Sequence, residues 1–262
     1  MDIESKQSLQ EKDLQRLRGL RLLDDDFMKI FFDKNIEATT LILNIFFERD
    51  DMVVTEVVGQ REIKNVSAHS VCLDILAKDS TGKVYDIEVQ RADKGALPQR
   101  ARFNSAMMDT MLLASGVDYS ELVDTYVILI TENDVIGKGM PTYHINRWIE
   151  ETDKLFGDGS HILYVNGAYR NDESQIGKLM HGFRCTQPKD MNFPLLANRA
   201  RYFKESEGGR EIMCKMMEDM RKEVKVQNAL VMLADGLSYE QVAKYSGLTV
   251  EKVRALDEKE SA

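Results

Sequence analysis

Apolar positions come in short bursts along the chain, and their spacing switches between helical and alternating. Asp24-Asp25-Asp26 precedes Phe27-Met28-Lys29-Ile30-Phe31-Phe32. Acids ahead of an apolar run predict a helix N-terminus, where free amides favour negative charge. Glu37 to Phe47 predicts a second helix, with Leu41, Ile42, Ile45 and Phe46 as its apolar positions, and the β-branched run Met52–Val58 a strand. Ser70–Lys78 and Lys83–Gln90 read as strands either side of Asp79-Ser80-Thr81-Gly82. Pro98 suits the first position of a helix that runs on from Gln99 to Ala114, with Phe103, Met107, Met111 and Leu112 at helical spacing. Thr125–Ile130 and His161–Asn166 predict strands, Tyr143–Phe156 mixes signals, and Glu173–Phe183 predicts a helix. From about 195 every segment looks helical, broken at Gly208-Gly209 and punctuated by Gly236, Ser238, Gly247 and Thr249. Residues 1–20 form a polar lead-in. The chain thus divides into an α/β part, residues 20–190, and an all-helical extension, residues 191–262.

The hairpin carries the chemistry. Asp86, Glu88 and Gln90 alternate with Ile87 and Val89, so the three polar side chains share a strand face. With a three-residue loop and Gly82 left-handed, Asp79 pairs with Lys83. Asp74 then falls opposite Glu88, Leu76 opposite Asp86, and Cys72 opposite Gln90. Opposed Cβ atoms lie roughly 5 Å apart. Two carboxylates at that spacing among Leu, Ile and Val repel, and a divalent cation between them relieves the repulsion. Hard oxygen ligands favour Mg²⁺ or Mn²⁺, and the Val89 carbonyl is a further candidate ligand. The competing view is a solvated strand face whose acids happen to oppose; the apolar run Val71-Cys72-Leu73-Asp74-Ile75-Leu76 argues against it. Asp86 reads either as a supporting acid or as an edge-facing one.

The net charge is −9, from 35 basic and 44 acidic residues, which disfavours a broadly basic nucleic-acid surface. Locally the balance reverses. Arg91, Lys94, Arg100 and Arg102 against Asp93 give +3 between Gln90 and Phe103, beside the acids. With Gln99, and with a helix start at Pro98, they suit phosphate contact, the alternative being an ordinary solvated helix face. No apolar stretch is long enough to span a membrane, and Met1-Asp2-Ile3-Glu4-Ser5-Lys6 lacks a signal core. Three scattered cysteines suit a reducing cytoplasm. Trp148 is expected to be buried.

Several segments together resemble the PD-(D/E)XK nuclease family transposases, relatives of the recombination-promoting nucleases. They include Asp26-Phe27-Met28, Glu37-Ala38-Thr39, Leu73-Asp74-Ile75, Ile87-Glu88-Val89-Gln90-Arg91 and Arg100-Ala101-Arg102-Phe103. Tyr126 to Asp134, His161 to Gly167, Ile176 to Met180 and Met213 to Glu218 extend the resemblance over roughly residues 20 to 220. It implies a restriction-endonuclease-like core, a mixed sheet flanked by helices, and a Mg²⁺-dependent DNA endonuclease linked to recombination or mobile elements. Asp74 and Glu88 match the metal ligands. Gln90 stands where Lys is usual, and Asp26 matches an acid on the leading helix, with Glu37 a second candidate. Gln99-x-x-x-Phe103 resembles the Gln-x-x-x-Tyr signature of RecB-like nucleases. Gln90 can orient a water but carries no charge, so a catalytically silent DNA-binding or interaction module is the alternative. Ser238-x-x-Gln241 is a capping box in a helix-turn-helix-like end, with Thr249–Leu256 in the recognition position. From Glu211 to Ala262 eight basic residues meet ten acidic, a net −2, so the tail suits packing or homodimerisation at least as well as duplex reading.

Overall fold

A computed structural model describes residues 13–63 and 71–260. Residues 1–12 of the expected lead-in and Ser70 of the expected strand lie outside the described residues; residues 13–19 are helical. The chain divides into two compact units, Arg18–Arg201 and a second made of residues 13–17 with 202–260.

In the larger unit, helices α1 (Asp25–Phe32) and α2 (Ile36–Phe46) lead into strands β1 (Val54–Ile63), β2 (Val71–Asp79) and β3 (Val84–Gln90). Helix α3 (Pro98–Leu112) follows, then β4 (Thr125–Thr131), β5 (Thr142–Ile145), β6 (Trp148–Ile149), β7 (Lys154–Leu155), β8 (Ser160–Asn166) and α4 (Gln175–Arg184). Among the described residues the strands form a six-stranded sheet in the order β1-β2-β3-β4-β8-β5 and a separate β6-β7 hairpin. The sheet is mixed: β3-β4 and β4-β8 are parallel, the other neighbours antiparallel. This is the mixed sheet flanked by helices that the sequence implied.

Acids in its first turn start α1, and its apolar residues Phe27, Met28, Phe31 and Phe32 are buried. Phe32 stacks on Phe183 of α4, and Leu23 N–H donates to the Phe183 carbonyl at 3.2 Å. Proline opens α3 as expected. Ala101, Met107 and Met108 of α3 share a buried cluster with Val84 of β3 and with Val127 and Leu129 of β4. The β6-β7 hairpin corrects one expectation. Trp148 is 53% exposed because it sits on that small hairpin outside the main sheet, where its indole N–H donates to Asp153 at 3.0 Å.

The second unit contains α6 (Glu207–Ala234), α7 (Tyr239–Ser246) and α8 (Val250–Glu260); α5 (Pro194–Glu205) carries the chain into it. Gly208 and Gly209 lie inside the first turn of α6, so they do not break the helix as the sequence suggested. A Cβ on Gly209 would stand 2.1 Å from the Tyr202 carbonyl oxygen, so the close turn between helices requires glycine there. The Ser238/Gln241 capping box forms, and Gly247 ends α7 at φ +69. Ala229, Val242 and Val253, one from each of α6, α7 and α8, make this small core.

Candidate active site

The hairpin register follows from its turn. Asp79 N–H donates to the Lys83 carbonyl at 3.0 Å, and Gly82 takes φ +90. Ile75 pairs with Ile87 and Leu76 with Asp86, as the turn predicts. The β2-β3 ladder stops at Ile75 and Ile87, one residue short of Asp74 and Glu88. Beyond that point β2 stays paired to β1, and β3 to β4. The two strands therefore part where the acids sit, and the expected Cys72–Gln90 pair does not form.

Side chains from two helices fill this fork. Lys29 of α1 donates to Asp25 Oδ2 at 2.8 Å and lies 3.1 Å from Asp74 Oδ1. Arg100 of α3 donates to Glu88 Oε2 at 3.0 Å. Asn104, one turn further along α3, donates to Glu88 Oε1 at 2.7 Å and to Asp86 Oδ2 at 3.2 Å. The Gln90 amide lies 3.3 Å from both Glu88 Oε2 and Arg100 Nη1. Gly95 backs it, since a Cβ there would meet Gln90 Oε1 at 2.1 Å. Asp25 Oδ1 and Asp86 Oδ1 are buried without a hydrogen-bond partner.

Asp25, Asp74, Asp86 and Glu88 thus face two protein cations, Lys29 and Arg100, a balance of −2 when all are ionised. Burial, reinforced by Asp25 and Glu88 and opposed by Lys29, pushes the Asp74 carboxyl up to about 7. Burial and the charges of Glu88 and Asp74 push Asp86 well above the usual carboxylate range. Burial also raises Glu88, against the pull of Arg100 and Asn104. Burial draws Lys29 down, but Asp74 and Asp25 outweigh it and hold its ammonium charged. Such crowding of buried like charges is stored electrostatic strain. Two of these carboxylate oxygens are unpartnered, and carboxylate oxygen is the ligand type a hard divalent cation takes; among the described residues no three acids stand together at metal-ligand spacing.

Residues 22–175, more than half of the chain, match the family described as PD-(D/E)XK nuclease family transposase. The chain belongs to that family. No curated protein and no solved structure matches it.

The other residues singled out in this family member fall in distinct places. On α1 it is Asp25 whose charge bears on Asp74 and Glu88. Asp26 is the next residue round the helix, about 100° away, whereas Asp25 and Lys29 share a face. Val89 sits between Glu88 and Gln90, paired with Ile130 of β4. Arg91 is held by Asp24 at 2.9 Å and Glu132 at 3.2 Å. Gln99 and Arg102 are exposed on α3, and Glu37 is exposed on α2. Lys29 and Asn104 were not anticipated. The signal for each was a polar residue four positions from another: Asp25 to Lys29, and Arg100 to Asn104.

Proposed function

We propose that this chain is a divalent-cation-dependent DNA endonuclease. Asp74 and Glu88 would hold Mg²⁺ or Mn²⁺, assisted by Asp25, by Asp86 and by the Val89 carbonyl, with Asp26 at the edge of the set. The bound cation would supply an acidified water and charge stabilisation at a phosphoryl oxygen. Gln90 would orient the attacking water through its amide, whose position Gly95 and Arg100 fix. Asn104 holds Glu88 and Asp86 in place. Arg100, Arg102 and Gln99 would contact the DNA backbone, and Arg91 would do so only by giving up Asp24 and Glu132. The observation that carries this reading is the pair of orphaned buried oxygens, Asp25 Oδ1 and Asp86 Oδ1, in the fork that holds Asp74 and Glu88.

A second reading keeps the scaffold and loses the chemistry. Among the described residues no three acids stand together at metal-ligand spacing, and Gln90 carries no charge. The protein would then bind DNA or another protein, with the helical unit providing contacts or a homodimer. Supercoiled plasmid separates the two. Nicking by the full chain with Mg²⁺, absent in EDTA and at least about 100-fold slower in Asp74→Asn, is expected from the first reading. A metal-independent mobility shift without nicking supports the second. A reducing cytoplasm remains the proposed location. No helix among the described residues is long and apolar enough to cross a membrane.

A further inference from the structure

Both oxygens of Glu88 already have donors, Asn104 on Oε1 at 2.7 Å and Arg100 on Oε2 at 3.0 Å. Lys29 occupies Asp74 Oδ1 at 3.1 Å. Asp74 and Glu88 are therefore held by the protein's own cations, with Asn104 beside them. Gln90 also lies 3.3 Å from Oε2, and Asn104, Lys29 and Arg100 differ in freedom. Asn104 is 2% exposed, and the Lys29 side chain 16%, pinned between two acids. The Arg100 side chain is 43% exposed, on the first turn of α3 beside exposed Gln99 and Arg102.

Resting on the nuclease reading, we infer that Arg100 is a metal-displaced phosphate-binding residue. A divalent cation has twice the charge and binds carboxylate oxygen at about 2.1 Å, far closer than a guanidinium. With such a cation in the fork, Arg100 would give up Glu88 Oε2. Lys29 is too enclosed to leave, and Arg100 leaves at little desolvation. The released guanidinium stays on the exposed helix face, where its planar donors suit a phosphate. Without metal, the same side chain is occupied by Glu88 and the site's uncompensated acids repel DNA. Metal and DNA affinities are then coupled through one arginine, and the coupling is reciprocal.

The test is titration of the full chain with Mn²⁺ alone, then with a hydrolysis-resistant phosphorothioate duplex in the presence and absence of Mn²⁺. Arg100→Gln is expected to bind Mn²⁺ about 5-fold more tightly than wild type and to lose most of the Mn²⁺-induced gain in DNA affinity. Arg102→Gln removes the same charge from the same helix; it is expected to weaken DNA binding and leave Mn²⁺ affinity unchanged. Arg100→Lys keeps a cation on this turn and guards against a folding defect; it is expected to retain the coupling. Equal Mn²⁺ affinity in Arg100→Gln and wild type, or an undiminished metal gain in DNA binding, overturns the exchange alone. Failure of wild type to bind Mn²⁺ removes the nuclease reading and the exchange with it.

Discussion

At the scale of single residues, the fork is a place where the sequence accepts instability. Asp74, with its carboxyl pushed up to about 7, is the clearest case. A carboxyl raised above its unfolded value gives its full contribution to stability below the unfolded pKa near 4 and loses it as pH rises through the folded value. The metal-free protein is therefore expected to melt at a higher temperature at pH 6 than at pH 8. Asp74→Asn in EDTA should raise Tm at pH 8 by roughly 2–4 °C and flatten that pH dependence. Thermal melts at the two pH values check it; a lower Tm for Asp74→Asn at pH 8 would show that the acid is a stabilising partner of Lys29 instead. Asp79 has the opposite character. Burial raises it, but hydrogen bonds from Thr81, Tyr85 and the Thr81 and Lys83 amides outweigh that, so this carboxylate secures the turn.

At the scale of elements, the hairpin and the helices over it are legible in the sequence, and the face that α3 turns to the acids is not. Strand pairing has a period of two and a turn that sets it, so Asp79-Ser80-Thr81-Gly82 sufficed to align Leu76 with Asp86. Where the ladder ends is decided by the outer neighbours β1 and β4, which no local pattern encodes. The inward face of α3 is hidden from the sequence for a physical reason. Its buried face carries Ala101, Asn104 and Ser105 as well as Met107 and Met108, so apolarity does not mark the inward side. Phe103, one of the apolar positions at helical spacing, is 38% exposed, while Asn104 reaches the acids. Glycine in the first turn of α6 likewise has a tertiary role, which the sequence does not distinguish from a helix break. Gly209→Ala would press a methyl onto the Tyr202 carbonyl and the Phe203 Cα. It should lower stability by about 2 kcal/mol or more in urea unfolding, while Gly208→Ala, whose Cβ would meet only Tyr202 Oη at 3.5 Å, should cost under about 1 kcal/mol. Equal effects at the two positions would refute the packing argument for this corner.

At the scale of the whole molecule, a net charge of −9 and a nuclease-family fold pull against each other unless cations mediate. Composition exposed that tension, and the sequence located it at the +3 stretch beside the acids. It could not show that Arg91 is tied to Asp24 and Glu132, because those partners come from distant segments. Whether the fork holds a divalent ion therefore decides between a nuclease and a silent scaffold. Isothermal titration of the full chain with Mn²⁺ at pH 8 tests this most directly. One ion should bind per chain in the wild type, and Glu88→Gln should weaken it at least about 10-fold while keeping the wild-type fold by circular dichroism. Mn²⁺ binding that is absent in the wild type, or unchanged in Glu88→Gln, would contradict the account.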